Sequence, residues 1–277
     1  MDNNNIKFSV VMPVYYEENP LFFDEALKSI INQTLMPNEI VIVKDGKLTE
    51  ELDLVINNNC KTYQQLIKVI SLDHVGKGYA RNEGIKNCSY DYIALMDSDD
   101  ISSPDRFKKQ IDYIKQHPEI DVLGGQYTEF ENEPNNIIAK KVMPIEQEDI
   151  YNFGKWRSPM NNVTLILKKD KILEVGGFNN FYIGEDYHLY IKMLTRGMQF
   201  HNLDDVLVNV RAGKRMYKKR VGLKIIVQEI QLFTFFYSIG YINFFQLIRN
   251  ISLKFLFRIM PCWLREMIYI KYLRKAV

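Results

Sequence analysis

Three short stretches of this 277-residue chain carry residue types that do chemistry at spacings that permit it. The first is "YIALMDSDDIS" (92–102), five apolar positions followed by Asp97, Asp99 and Asp100. Carboxylates this close repel one another, and burying one unpaired is costly. A positive partner is therefore expected. Asp-x-Asp at a strand end suits a hard divalent cation, because Mg²⁺ commonly takes one or two carboxylates together with phosphate oxygens. The overlapping run "SDDISSPDRF" also reads as a turn and helix start, with Pro104 near the first helical position. Both readings can hold at once, with Asp100 or Ser103 capping while Asp97 and Asp99 bind.

The second stretch, "HVGKGYARNEG" (74–84), places two glycines, Lys77 and Arg81 at a helix start. Backbone amides and cations there suit phosphate or a polar sugar, or they form an ordinary helix-start loop. In the third, "GEDYHLY" (184–190), Glu185 and Asp186 sit at a helix N-terminus. Carboxylates at that position are stabilised by the helix dipole, or they face a cleft and take a proton from an attacking hydroxyl.

These residues need a frame to hold them. "FSVVMPV" (8–14), "EIVIVKD" (39–45), "LIKVISL" (66–72), "DYIALMD" (91–97) and "DVLGGQY" (121–127) read as buried strands. Helical patterns alternate with them at 21–33, between 45 and 66, near 78–88 and near 105–117. Strand–helix alternation of this kind implies an α/β fold with a mostly parallel sheet covered on both faces. Ligands of such sheets sit beyond the carboxyl ends of the strands. That rule selects Tyr15 and Glu17, Asp45, the segment His74 to Arg81, and Asp97 to Asp100. Neither GxGxxG nor GxxxxGK[ST] occurs. Residues 128–160 read as an irregular connection over the sheet, 162–169 as a strand, 176–186 as a loop, and 186–197 as a helix burying Leu189, Met193 and Leu194.

The net charge of +2 conceals an asymmetry. From Val206 onward there are 14 Lys or Arg against Glu229 and Glu266, so the body is acidic and the tail basic. Such a tail is expected to meet an anionic surface. Nineteen residues between Glu229 and Arg249 carry no charge, but polar residues interrupt them, and cations such as Lys218, Lys219, Arg220 and Lys224 flank them. Trp263, Met267 and Ile270 follow at helical spacing. The pattern fits helices lying on an anionic membrane surface better than one crossing it; packing against the catalytic body or a second copy, as a homodimer, is the alternative. No nucleic-acid partner is expected. Cys60, Cys88 and Cys262 have no metal-type spacing and read as reduced thiols, and the N-terminus lacks a secretory signal, so a cytoplasmic protein is expected.

Taken in order, "VVMPVYYEE", "QTLMPNEIVIVKDG", "GKGYARNEGI", "YIALMDSDD" and "GGFNNFYIGEDYHLYIKM" resemble glycosyltransferase family 2 over residues 6–212. Within it the sequence is most similar to bacterial transferases of exopolysaccharide, capsule or O-antigen assembly. The resemblance implies a GT-A catalytic domain over 1–212, with a nucleotide-sugar half (1–127) and an acceptor half (128–212), followed by a helical region (213–277). It implies inverting transfer from a nucleotide-sugar, of UDP type, to a hydroxyl of a saccharide or lipid-linked acceptor. By position, Pro13, Tyr15 and Glu17 would flank the base and ribose, and Asp45 would contact the base. Lys77, Gly78 and Arg81 would line the donor pocket, Asp97 would contact ribose or sugar, and Asp99 would hold Mn²⁺ or Mg²⁺. Asp186 would be the base, Glu185 its acceptor-side neighbour, and Arg211 would approach the diphosphate from a mobile loop. Asn162 stands where relatives often carry His, which leaves the part played by that position open. A nucleotidyltransferase acting on sugar phosphates and a non-catalytic membrane-binding module are the rival readings.

Overall fold

The computed structural model describes residues 6–179, 181, 183–212 and 223–260. The apolar runs alternate in side-chain direction, which is what a sheet covered on both faces requires. In β1 (Phe8–Val14), Val10, Met12 and Val14 join one core while Val11 joins the other. β2 (Glu39–Asp45), β3 (Ile67–Leu72) and β4 (Tyr92–Leu95) complete a parallel set in the order β3-β2-β1-β4. The first core receives α1 (Pro20–Ile31), α2 (Glu50–Thr62) and α4 (Arg106–Gln116). The second receives α3 (Lys77–Asn87), α6 (Lys169–Glu174) and α7 (Glu185–Thr195). The expected mostly parallel α/β sheet with helices on both faces is present.

Beyond β4 the sheet becomes mixed. β8 (Ile166–Lys168) runs antiparallel between β4 and β6 (Val122–Phe130), and β9 (Phe200–Arg211) pairs parallel to β6 and antiparallel to the short β5 (Ile101–Ser102). Residues 128–160 are more ordered than their composition implies. They hold the end of β6, its antiparallel partner β7 (Ile137–Lys141), and α5 (Gln147–Phe153). Residues 162–164 form a 3₁₀ turn rather than strand. Local side-chain bonds explain this, since Thr164 Oγ1 donates to the Asn161 carbonyl and accepts from Gly125 N.

The C-terminal pattern forms an antiparallel pair of helices, α8 (Leu223–Ser238) and α9 (Phe244–Ile259). Leu232, Phe233 and Phe236 of α8 are buried in the same core as α7, so these aromatics pack back onto the body. Among the described residues, no helix is long and apolar enough to cross a membrane. Residues 213–222 and 261–277 lie outside those described, and with them Lys218, Lys219, Arg220, Cys262, Trp263, Met267 and Ile270.

Candidate active site

The strand order decides where a ligand fits. From β1 the chain passes outward to β2 and β3, then crosses back to β4 on the other side, so a crevice opens beyond the carboxyl ends of β1 and β4. The β1–β4 register ends at Val11 and Leu95, which puts Pro13, Tyr15 and Glu17 on one lip and Asp97 to Asp100 on the other.

Two cations on one face of α3 hold the β4 lip. Lys77 Nζ lies 3.1 Å from Asp97 Oδ2, and one turn later Arg81 Nη2 lies 2.8 Å from Asp97 Oδ1. The other amino group of Arg81 donates to Glu185 Oε1 at 3.3 Å. Arg81 is almost wholly buried, and its two carboxylates keep it charged despite the burial. Asp97 is held well below the usual carboxylate range by Lys77 and Arg81, against the opposing effect of its burial. Glu185 is raised, by burial first and then by Asp186 beside it, with Arg81 opposing. One guanidinium thus ties the end of β4 to the start of α7.

Asp99 stands differently. Among the described residues no cation forms an ion pair with it, and burial, Asp97 and Glu18 push its carboxyl up to about 6. Glu18 is itself close by, accepting the Ser98 hydroxyl. Tyr15, bonded to Glu17 at 3.3 Å, is pushed up to about 12 by burial and by Glu17, Glu18 and Asp99. Negative charge therefore accumulates around Asp99, where Lys77 opposes it only in part. Among the described residues, no group of three or more His, Cys, Asp or Glu is arranged to hold an ion unaided. A divalent cation that shares its shell with phosphate oxygens suits this donor set: one free carboxylate, with acidic neighbours.

Residues 9–177 match the family model described as glycosyl transferase family 2. The chain belongs to glycosyltransferase family 2. It is 37% identical to an uncharacterized glycosyltransferase of Haemophilus influenzae over 98% of this chain and all of that one. It is 35% identical to the UDP-Gal:alpha-D-GlcNAc-diphosphoundecaprenol beta-1,3-galactosyltransferase of Escherichia coli, over 99% of each. Identity to the amylovoran biosynthesis glycosyltransferase AmsE of Erwinia amylovora is 32% over 95% of this chain and 98% of the relative. The fold is shared with the mannosyltransferase PcManGT of Pyrobaculum calidifontis, solved with GDP-Man and Mn²⁺ (TM-score 0.62, 17% identity, 84% of this chain). It is shared as well with residues 1–349 of S. aureus TarS in complex with UDP-GlcNAc (TM-score 0.62, 22% identity, 83% of this chain). The chain spans 65% and 66% of those two structures, slightly under two thirds of each. This is a family 2 glycosyltransferase with the GT-A fold.

Several motif residues in this transferase act on the protein itself. The Asp45 carboxylate accepts from Val75 N at 2.6 Å and Gly76 N at 3.1 Å, shaping the loop that leads into α3. A Cβ on Gly78 would lie 2.4 Å from the Asn179 carbonyl oxygen, so the glycine lets Phe178 and Asn179 rest on α3. Arg211 ends β9 rather than occupying a loop. Its guanidinium carbon lies 3.8 Å from the Phe22 ring centroid and 4.7 Å from that of Phe130, while Nη2 bonds Glu25 at 2.6 Å. It meets the acidic lip through its backbone N, which donates to Asp100 Oδ1, and through Nε, which donates to the Asp99 carbonyl. Asn162 Oδ1 accepts from Tyr190 at 2.7 Å, while its Nδ2 is buried with no partner among the described residues.

Two supporting residues carry no motif signal of their own. Asn82 clamps the backbone at Phe178 by accepting from Phe178 N and donating to Phe178 O. Arg106 is fully buried under the acidic lip, donating to the carbonyls of Leu95 and Leu165, and desolvation brings it down to about 9. Arg106 looks like any helix-start cation in the sequence. An asparagine next to Arg81 is the only hint of the clamp.

Proposed function

We propose that this glycosyltransferase moves a sugar from a UDP-sugar to a hydroxyl of a lipid-linked saccharide, with inversion, in surface polysaccharide assembly at the cytoplasmic face of the membrane. The observation that carries the reading is the pairing of two acid groups, Asp97–Asp99 and Glu185–Asp186, brought to one crevice by Arg81. The full-length likeness to an enzyme named for UDP-Gal and a diphosphoundecaprenol-linked acceptor supports the donor and acceptor classes.

Tyr15, Glu17 and Pro13 would line the base and ribose, with Asp45 fixing the loop beside them. Lys77 and Arg81, anchored through Asp97, would present positive charge toward the diphosphate. Asp99 would hold Mn²⁺ or Mg²⁺ together with diphosphate oxygens. When bound, the ion offsets charge that builds on the departing nucleoside diphosphate. Asp186 would take the proton of the acceptor hydroxyl as its oxygen displaces the diphosphate at the anomeric carbon. Glu185, held by Arg81, would position the acceptor, and the basic 213–277 region would face the anionic membrane surface. The catalytic domain would end near residue 212.

A donor screen tests this. The enzyme with Mn²⁺ is offered UDP-, GDP- and dTDP-sugars with a polyprenyl-diphosphate-linked GlcNAc, and the product's anomeric configuration is read by NMR. Transfer from a UDP-sugar with inversion is expected; retention of configuration, or nucleotide transfer to a sugar phosphate, overturns the reading.

A further inference from the structure

Helix α9 packs Leu247 and Ile251 against the core, yet it places polar groups beside them and leaves much of its apolar surface outside. Its inward side carries polar groups: Arg258 pairs with Glu229 of α8 at 2.7 Å, Lys254 lies 3.8 Å from the same carboxylate, and Asn250 donates to the Lys155 carbonyl at 2.7 Å. Its outward side carries Phe244, Phe245, Ile248, Leu253, Phe255 and Leu256, each between 48% and 81% exposed. At 3.6 residues per turn these six fall within one half of the circumference. Lys254 and Arg258 turn inward while Arg249 is exposed on the apolar half, and a helix that leaves three phenylalanines outside is not a solvent-facing helix.

We propose that α9 lies flat on an anionic lipid bilayer, with this half inserted at the headgroup boundary. The inference deepens the membrane-facing part of the proposed function and rests on it for its purpose, though the docking itself requires no catalysis. Charge selects the occupant. Helix α9 holds Arg249, Lys254 and Arg258 and no acid, and residues 213–277 hold 13 Lys or Arg against Glu229 and Glu266. Arg249 is the exposed cation on this half, so a second copy seated face to face would bring like charges together, whereas an anionic leaflet complements them. The acidic body is repelled by that leaflet, so the same charges orient the molecule with α9 down. The docked helix is also joined firmly to the chemistry. Phe236 of α8 packs edge-on against Tyr187 at 4.8 Å, the Tyr187 hydroxyl donates to the Gly154 carbonyl, and Tyr241 donates to the Tyr151 carbonyl. Tyr187 follows Glu185 and Asp186 directly, so a bilayer-bound α9 sets the position of those acids relative to the membrane.

The full-length chain is floated with vesicles of phosphatidylethanolamine and phosphatidylglycerol, and with phosphatidylcholine alone. Binding to the anionic vesicles is expected. The Phe245→Glu and Leu253→Glu double variant should cut the bound fraction by about tenfold or more while melting as the parent does, because two exposed apolar anchors are lost. A Phe245→Trp variant, which keeps the face apolar, should show blue-shifted emission quenched by brominated lipid. A parent that stays unbound, a double variant that floats equally well, or a tryptophan unmoved by vesicles overturns the proposal. So does sedimentation showing a dimer that the double variant converts to monomer. Parent protein that floats but transfers no sugar would leave the docking standing and remove the transferase reading instead.

Discussion

Arg81 donates to Glu185 across 3.3 Å, and through that bond a helix from the first half of the chain meets the first residue of α7. The same guanidinium holds Asp97 at the end of β4, so the strand-end and helix-start acids share one buried cation. Sharing settles how this many carboxylates coexist in one crevice. Asp97 and Glu185 are each partly neutralised by Arg81, whereas neither Asp99 nor Asp186 forms an ion pair among the described residues.

Removing that cation strands two partly buried carboxylates. Arg81→Ala should lower stability by about 3 kcal/mol, the lower end of the range for breaking a buried ion pair from one side. Arg81→Lys should recover part of the stability but little turnover, because a single ammonium cannot span both carboxylates in the guanidinium's geometry. Denaturant melts and steady-state kinetics of both variants check this; equal turnover in Arg81→Lys and parent would remove the bridging role.

Much of this arrangement was legible in the sequence, and the reasons are physical. β1 and β2 occupy the residues read from their apolar runs, 8–14 and 39–45, because strands buried on both faces read as near-continuous apolar runs, with polar residues confined to their ends. β9 escaped notice because Asn202, Asp204 and Asp205 break its pattern where the β6–β9 register shifts. Periodicity also shows which face Lys77 and Arg81 share, but not which distant carboxylates they meet. Arg81 therefore read as a pocket-lining cation and is a bridge as well. Arg211 read as a loop residue aimed at the diphosphate; Phe22, Phe130 and Glu25, its actual neighbours, lie far from it in the chain.

The proposed function gives Asp99 the divalent ion. The parent should gain thermal stability when Mn²⁺ and UDP are added together, and turnover should fall to background in excess chelator and return with Mn²⁺ or Mg²⁺. Asp99→Asn should lose the Mn²⁺-dependent stabilisation while melting at or above the parent's temperature in the absence of metal, since one repelling carboxylate is gone. Full turnover in chelator removes the metal from the reading.

His188 supplies a pH signature away from the chemistry. It is packed between Phe181 and Phe235, its Nδ1 has no partner among the described residues, and burial with Lys192 brings it down to about 4. A free imidazole titrates near 6.5, so between these values the unfolded chain binds more protons than the folded one. Its contribution is present above pH about 6.5 and is lost as pH falls toward 4. Melting temperatures taken from pH 7.5 down to 5 should drop more steeply for the parent than for His188→Leu; parallel curves would show that His188 takes up its proton equally in the folded and unfolded chain.

Glu185 and Asp186 open α7 after Gly184, whose φ of +80° turns the chain into the helix, and both gain from the helix dipole there. Stabilising the dipole and taking a proton are separable. Each would cost something on mutation, but in different measurements. Asp186 bonds only within its own helix start, to Tyr187 N at 2.7 Å, among the contacts described, whereas Glu185 is tied to Arg81. Asp186→Asn keeps the shape and an acceptor oxygen but cannot take up a proton. Its turnover should fall by about a hundredfold or more, the usual scale for a lost general base, with UDP-sugar affinity and melting temperature close to the parent's. Glu185→Gln loosens Arg81, so it should raise the acceptor KM and lower the melting temperature while keeping more turnover than Asp186→Asn. Calorimetric titration with the donor, kinetics with varied acceptor and a melt on each variant give the comparison. If Asp186→Asn instead loses stability and keeps turnover, the carboxylate is a helix cap, and Glu185, already raised by burial and by its neighbour, becomes the base to test.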